Sequence, residues 1–220
     1  MADLLEEYQR RLKLEGNIYH KTQVELAYNS NHIEGSRLTE EQTRQIFETR
    51  TVDGHARLAD IQDATNHFRL FDAMLDTAEE PLSPELLLSF QEVLKQGTEQ
   101  AASDPIFAPG VFKVLPNEVG GLVTTLPEEV PGQLALLIGR YEGGPRAFED
   151  IVDLHYRFER IHPFQDGNGR TGRLILFKEC LKNDIAPFVV NDSRKAEYYH
   201  ALNTAQTKQD YSLLERFFRE

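Results

Sequence analysis

The residues with the most capacity for chemistry stand close together in the stretch HPFQDGNGRTGR at residues 162–173. This stretch runs into an apolar segment that predicts a buried helix from about Asn168 to Leu181. It should therefore contain a helix N-terminus, where unpaired N–H groups and the helix dipole attract anions. Gly167 and Gly169 carry no side chain that would keep a phosphate away from that backbone. The pattern is typical of a phosphate-binding loop.

Two side chains in this stretch could act on a bound phosphate compound. His162 is the natural general base, because its ordinary pKa near ~6.5 leaves the imidazole partly neutral at physiological pH. Asp166 could supply one oxygen to Mg²⁺, an ion that usually takes further ligands from water and substrate phosphates. Phe164 lies between them and is expected to point inward as an anchor for the loop. The sequence therefore predicts a base and a metal ligand on one short segment.

The remaining polar residues would hold the phosphates. Asn168 and Gly169 offer an amide and backbone N–H groups at the start of the helix. Arg170 and Arg173 stand three residues apart in the first turn, so they are expected to project together and to fork onto consecutive phosphates. Each of these roles suits phosphoryl transfer.

Other interpretations of the glycine-rich stretch fit its residues less well. Residues 167–172 match G-x-G-x-x-G, but a dinucleotide site needs a preceding strand, and RFERIHPF follows a helical pattern. A P-loop would need Lys and Ser or Thr where Arg173 and Leu174 stand, and an EF-hand would need a glutamate where Phe177 stands. A plain capped helix with surface arginines explains each residue singly, but it leaves the histidine, the glycines and the arginine pair as coincidence.

Helices are expected to position this stretch, because helical periodicity dominates the chain. One core-facing stripe recurs at steps of three or four residues: Leu58, Ile61, Ala64, Phe68, Phe71 and Leu75. Other helix starts are marked by Thr39 with Gln42 as a capping box, by Ser83 with Pro84, and by Pro127. The expected fold class is all-α.

Residues 110–125 are the exception to the helical pattern. The runs VFKVL and LVTT are β-prone, and turn-forming residues lie between them: Pro116, Asn117, Gly120 and Gly121. The sequence predicts a small β-hairpin here.

Length and composition limit the class of protein. A chain of 220 residues with 40% apolar and 27% charged residues is expected to fold as one large soluble domain. Its net charge of −12 disfavours general binding of nucleic acid or anionic membranes. The acidic start, the lack of a long apolar run and the single cysteine, Cys180, predict a cytoplasmic protein with no membrane association. Association of two or more copies is compatible with the sequence.

The motif at residues 162–173 resembles the signature of the Fic family, H-x-F-x-[D/E]-G-N-G-R-x-x-R, at every defined position. The flanks are similar as well: GVFKVLPNEVGG with TTLPEEVP resembles the family's flap hairpin and following helix, and DSRKAEYYHAL resembles its adenine-side segment. The resemblance implies a Fic fold, a helical bundle with a small β-hairpin flap at about residues 111–125 beside the active-site loop. The catalytic domain would span residues 55–220.

The resemblance also implies an activity. The family's usual reaction transfers AMP from Mg-ATP to a Ser, Thr or Tyr hydroxyl of a protein and releases pyrophosphate. By position, His162 would be the general base and Asp166 the Mg²⁺ ligand. Arg173 would hold the γ-phosphate, and the α- and β-phosphates would be held by Gly167, Asn168, Gly169 and Arg170. Tyr199 and Gln206 would lie at the adenine, although many members have Asn in place of Gln206. The target protein would dock on the flap as an added strand.

A second motif lies in the N-terminal helical region, residues 1–54. SNHIEG at residues 30–35 resembles the family's inhibitory pattern [S/T]-x-x-x-E-[G/N]. TQVELAYNSNHIEG is predicted to be a helix closed by Gly35, with Ser30 and Glu34 one turn apart on one face. Our hypothesis is that Glu34 forms a salt bridge with Arg173 and so restrains the enzyme in cis. A further role open to Glu34 is to orient water for removal of AMP from a modified target.

Two alternatives stay open at the level of sequence. The loop defines the handling of phosphates better than it defines the transferred group, which could also be phosphate, UMP or phosphocholine. A protein of another class, a non-catalytic nucleotide sensor whose flap only binds peptides, would use the same cradle, but it would not need His162.

Overall fold

The computed structural model describes residues 2–220, and helices account for most of this part of the chain. The α-helices in chain order are α1 (Ala2–Gln9), α2 (Ile18–Ile33), α3 (Glu40–Thr49), α4 (Leu58–Asp76), α5 (Pro84–Lys95), α6 (Glu99–Ser103), α7 (Val130–Glu142), α8 (Phe148–Ile161), α9 (Asn168–Lys182), α10 (Lys195–Lys208) and α11 (Ser212–Arg219). Short 3-10 turns lie at Pro105–Phe107, Pro127–Glu129 and Asp192–Arg194. Within residues 2–220, none of the helices combines the length and apolarity that crossing a bilayer requires.

The predicted helix ends are present where local side chains satisfy the free backbone groups. Thr39 Oγ1 accepts a hydrogen bond from the N–H of Gln42 at 3.1 Å, and Gln42 Oε1 accepts one from the N–H of Thr39 at 3.0 Å. Ser83 caps α5 in the same way, through the N–H of Leu86. Helix α2 ends at Ile33, and Gly35 follows with a φ of +98°, as a closing glycine requires.

The hairpin is present, but its strands differ from the prediction. Strand β1 (Glu118–Val119) pairs antiparallel with β2 (Leu122–Val123), and the turn is Gly120–Gly121 with positive φ at both residues. The run VFKVL was wrongly predicted to be a strand. Its Lys113 donates its backbone N–H to Pro163 O at 2.9 Å, so this segment is tied to the loop after α8 and not to a partner strand.

Helix α9 lies at the centre of the fold, with every residue from Arg170 to Leu181 buried. Phe177 of α9 makes edge contacts with Tyr8 of α1 and Phe71 of α4, at ring-centroid distances of 5.8 and 5.4 Å. The N-terminal helices therefore share one hydrophobic core with the rest of the chain.

The predicted stripe on α4 is correct except at its first residue. Ala64, Phe68, Phe71 and Leu75 are buried, but Leu58 is 84% exposed. Leu58 is the first residue of α4 and lies beyond the end of the packed face.

Candidate active site

The segment that joins α8 to α9 is held in a tight conformation by its own side chains. His162 follows α8 with a φ of +51°, in the left-handed region that reverses the chain direction. Asn168 Oδ1 accepts from the N–H of Phe164 at 2.9 Å, and Asn168 Nδ2 donates to Phe164 O at 2.8 Å. Phe164 is fully buried, as predicted. Because the side chain of Asn168 fastens the loop, what this residue offers a ligand is its backbone N–H.

The glycines at the start of α9 are required by close neighbours. Gly167 has a φ of +88°, and a Cβ there would lie 3.0 Å from Leu94 Cδ2. A Cβ on Gly169 would overlap the carboxylate of Glu34 and lie 2.9 Å from Arg173 Nη1. Glu34 therefore occupies the space over the N-terminus of α9, where an anion is attracted by the helix dipole.

His162 is oriented as a neutral base. Its Nδ1 lies 3.2 Å from Glu159 O, and because a carbonyl can only accept, this contact assigns the proton to Nδ1 and leaves Nε2 free to accept one. Burial lowers the pKa of His162 to about 4, since the charged imidazolium is poorly solvated there. The imidazole is consequently neutral at physiological pH.

Asp166 is held by two cations. Lys95 Nζ forms an ion pair with Asp166 Oδ2, and Arg170 Nη2 lies 3.4 Å from the same oxygen. Burial favours the protonated acid, but Arg170 and Lys95 outweigh it and lower the pKa of Asp166. Both ion pairs use Oδ2. A single carboxylate fits Mg²⁺ only if substrate phosphates and water complete the coordination, and residues 2–220 hold no cluster of three or more His, Cys, Asp or Glu side chains suited to a metal.

The two arginines do not project together. Arg170 Nη1 lies 3.2 Å from Asp63 Oδ2 and 3.3 Å from Asn31 Oδ1, and Arg170 faces a second depression whose wall includes Asp63 and Lys95. Arg173 instead lines the cavity that contains His162. The spacing in sequence did not reveal this divergence, because Asn31 and Asp63 come from distant helices.

Helix α2 holds Arg173 through three acceptors. Arg173 Nη2 lies 2.7 Å from Glu34 Oε1 and 3.0 Å from Ser30 O, and Arg173 Nε donates to Ser30 Oγ at 3.0 Å. Burial favours the neutral form of both ionisable partners, yet their mutual attraction outweighs it, lowers the pKa of Glu34 and raises that of Arg173. The salt bridge expected from the sequence is thus present, and both Ser30 and Glu34 face Arg173.

A cavity of about 410 Å³ joins most of these groups. Its wall includes His162, Asp166, residues 167–169 and Arg173, together with Glu34, which follows the last residue of α2. Helix α10 contributes Tyr199, which is 39% exposed, and Gln206, and the hairpin contributes residues 118–120. The structure therefore brings the predicted adenine-side residues to the same cavity as the loop, whereas Ser30 and Arg170 support it from behind.

Three residues at the site were missed by the sequence analysis. Lys95 pairs with Asp166. Lys113 donates from Nζ to Asn117 and Thr124 in the flap and from its backbone N–H to Pro163 O, so it joins the base of the flap to the loop. Glu159 lies against His162. Lys95 and Lys113 give no local signal of these roles, because Asp166 and Pro163 lie far from them in sequence. Glu159 could have been noticed, since it precedes His162 by one helical turn.

Comparison with known proteins identifies relatives of this arrangement. Residues 81–179 match the Fic/DOC family. The chain is 31% identical over 206 residues to "Protein adenylyltransferase Fic" of Drosophila grimshawi, covering 89% of this chain and 39% of that protein. The protein of the same name from Drosophila erecta is 31% identical over 207 residues, covering 89% and 38%. The chain thus spans about two fifths of the length of these relatives.

Solved structures resemble nearly the whole chain. A Fic domain containing signaling protein from Bacteroides thetaiotaomicron superposes with a TM-score of 0.79 at 25% identity, covering 98% of this chain and 85% of that one. A Fic family protein from Desulfovibrio desulfuricans superposes with a TM-score of 0.77 at 25% identity, covering 99% and 69%. The likeness includes helices well outside residues 81–179.

Proposed function

Because this chain belongs to the Fic/DOC family and has its all-α fold with a small hairpin, we propose that it transfers AMP from ATP to a Ser, Thr or Tyr hydroxyl of a protein. The relatives named above carry the name of that activity. The observation that carries the proposal is the neutral, Nδ1-protonated His162 in the same cavity as the N-terminus of α9 and Arg173. A proton acceptor beside a polyphosphate site is what nucleotidyl transfer to a hydroxyl needs.

The chemistry follows from these positions. His162 Nε2 takes the proton of the acceptor hydroxyl as its oxygen bonds to the α-phosphorus, and the bond to the bridging oxygen breaks so that pyrophosphate leaves. The N–H groups at residues 167–169 and the α9 dipole stabilise the charge on the phosphates. Arg173 binds the γ-phosphate once Glu34 has released its guanidinium. Arg170 instead contacts Asp166 and helps to keep that carboxylate ionised. Tyr199 and Gln206 border the part of the cavity proposed for the adenine.

Mg²⁺ fits this site through Asp166 alone, with phosphate oxygens and water completing its shell. When bound, the ion would neutralise phosphate charge. Without the ion, Arg170 and Lys95 balance the charge of the carboxylate and lower the pKa of Asp166, so that it stays ionised.

The flap is the proposed docking place for the target protein. Its surroundings expose an unusual share of apolar side chains: Val111, Val114, Leu115, Val123 and Leu126 are each at least 40% exposed. The hairpin has only two strands, so it leaves backbone groups for an extended segment to pair with. Such a segment would bring its hydroxyl towards His162.

We further propose that Glu34 restrains this activity. Its carboxylate lies over Gly169 and neutralises Arg173, so ATP could seat its γ-phosphate productively only after displacing it. The guanidinium of Arg173 is enclosed, whereas the side chain of Glu34 is 34% exposed. Removal of Glu34 would leave a buried cation without its carboxylate partner, which is costly unless a phosphate replaces it. The same carboxylate lies at the cavity, where it could also orient water towards an AMP-modified target.

The test uses purified protein with Mg²⁺ and ATP labelled at either the α- or the γ-phosphate. Wild type is expected to label itself or an added protein weakly. Glu34→Gly should label strongly with α-labelled ATP only, and His162→Ala in the Glu34→Gly background should not label. Glu25→Gln alters another carboxylate of α2 and should behave like wild type.

Three other outcomes would each contradict one part of the proposal. Incorporation of the γ-label would replace AMP transfer by phosphorylation. Absence of any label from Glu34→Gly, with ATP binding intact by calorimetry, would favour the nucleotide-sensing alternative. Equal labelling by Glu34→Gly and wild type would contradict restraint by Glu34.

A further inference from the structure

Glu159 is a buried carboxylate at the cavity, and the transfer step described above does not use it. It lies in the last turn of α8, three residues before His162, and is only 6% exposed. Its Oε2 is 3.8 Å from His162 Nδ1. Among residues 2–220 its Oε1 has no hydrogen-bond partner.

The surroundings of Glu159 are shaped to hold it there. A Cβ on Gly172 of α9 would collide with Glu159 Oε1, so the glycine provides the space for this oxygen. The charged and titratable groups that face Glu159 come from four parts of the fold. They are His162 just after α8, Arg173 on α9, Glu34 just after α2, and Tyr198 and Tyr199 on α10. Burial, with a smaller contribution from Glu34, raises the pKa of Glu159 to about 7 against the opposing effect of Arg173.

A buried glutamate with only a structural role is expected to have a cation or a hydrogen-bond donor as its partner. Glu179, a buried glutamate of α9, shows this: it contacts Lys178 Nζ at 3.1 Å and accepts from Tyr141 OH at 2.9 Å. An unpaired buried carboxyl destabilises the fold, because it loses solvation without a compensating partner. Glu159 keeps that unfavourable position beside the group that must gain a positive charge during the reaction.

We propose that Glu159 is a positioning residue for His162. The Glu159 carboxylate stabilises the imidazolium that forms when His162 Nε2 takes the proton of the acceptor hydroxyl. This inference rests on the proposed nucleotidyl transfer. The proton moves from the hydroxyl oxygen to Nε2, the oxygen bonds to the α-phosphorus, and pyrophosphate leaves with the bond electrons. Nδ1–H, held by Glu159 O, then carries part of the new charge next to the carboxylate, in a poorly solvated site where such an attraction is strong.

The proposal predicts a specific pH dependence. Between pH 6 and 8 His162 stays neutral, because its pKa is about 4, whereas Glu159 changes from mostly protonated to mostly ionised, because its pKa is about 7. Only the ionised form stabilises an imidazolium. The rate constant for transfer should therefore rise with pH in this range, following the ionised fraction of Glu159.

The experiment uses the full chain with Glu34→Gly as the parent, so that restraint by Glu34 does not limit the rate. Glu159→Gln is expected to lower kcat at pH 8 by about 10- to 100-fold with little change in KM for ATP, and to remove the rise between pH 6 and 8. Glu159→Asp retains a carboxylate and should keep part of the rise. Glu7→Gln makes the same change on the exposed side of α1 and should match the parent. A Glu159→Gln enzyme that keeps the pH rise or the full kcat overturns the inference.

A second readout needs no transfer activity. In protein labelled with ¹⁵N-histidine, the Nδ1 signal of His162 should move between pH 6 and 8 in the parent and stay fixed in Glu159→Gln. Failure of the signal to move overturns the inference, whatever the transfer assay gives. If the signal moves but the protein transfers no AMP, the contact between Glu159 and His162 is confirmed and the proposed function is wrong.

Discussion

At the scale of single residues, the site depends on which partner Arg173 has. In the structure Glu34 and Ser30 use its donors, and the same guanidinium is the group proposed for the γ-phosphate. In the proposed mechanism the two partners compete for Arg173, because Glu34 and Ser30 already use its donors. On that proposal, the strength of these contacts sets how much ATP binds productively.

Ser30→Ala should release this restraint in part. It removes the hydroxyl that accepts from Arg173 Nε, a contact worth about 1 kcal/mol, so basal AMP incorporation should rise about fivefold, well below the rise in Glu34→Gly. Initial rates with α-labelled ATP measure the effect. Ser36→Ala lies just beyond Gly35 and should leave the rate unchanged; a Ser30→Ala protein as slow as wild type would show that the hydroxyl adds nothing.

At the scale of elements, the loop between α8 and α9 is the rigid part of the site. Its conformation combines a left-handed His162, the Asn168 contacts with Phe164, and a left-handed Gly167 packed on Leu94. The Asn168 contacts and the packing of Gly167 leave little freedom for the N–H groups that face the cavity. The N–H groups proposed to bind phosphate are consequently preorganised.

Gly167→Ala should lower the free energy of unfolding by about 1 to 3 kcal/mol, because a left-handed alanine is strained and its Cβ would press on Leu94. Urea denaturation followed by circular dichroism measures the change. Gly139→Ala is the matched control: Gly139 lies in the middle of α7 with open space around its Cβ position, so alanine should be neutral or stabilise by about 1 kcal/mol. Equal stability of the two variants would refute the strain argument.

At the scale of the whole molecule, several titratable groups are buried in forms that are neutral. His67 and His155 have pKa values lowered to about 3 by burial, and that of His162 is lowered to about 4. The unfolded chain binds protons on these residues below about pH 6.5 while the folded one does not, so stability falls as the pH drops. Glu159 acts in the opposite sense, since its raised pKa makes the folded state hold a proton up to about pH 7.

The three histidines outweigh the one glutamate, so the free energy of unfolding should be about 3 kcal/mol lower at pH 5 than at pH 7. Urea midpoints at the two pH values measure it. His67→Gln should reduce this difference, whereas His55→Gln, at an exposed position, should not. A protein equally stable at pH 5 and 7 would contradict the burial of these imidazoles.

Much of the site was predictable because its signals are local. Capping residues, the apolar repeat, and the glycine and histidine spacing of residues 162–173 act within one or two helical turns, so they can be read along the chain. The salt bridge between Glu34 and Arg173 was also anticipated, but through a family resemblance and not through any property of the two segments.

The remaining features depend on contacts between segments far apart in sequence. Burial of α9 turns Arg170 towards Asn31 and Asp63, and the docking of Lys113 on Pro163 replaces the strand expected at VFKVL. Only packing brings Lys95 to Asp166 and encloses Glu159 beneath Gly172. Sequence alone thus determined which groups the loop carries, whereas tertiary structure decided where they point and how burial sets their charge, because desolvation depends on everything that surrounds a group.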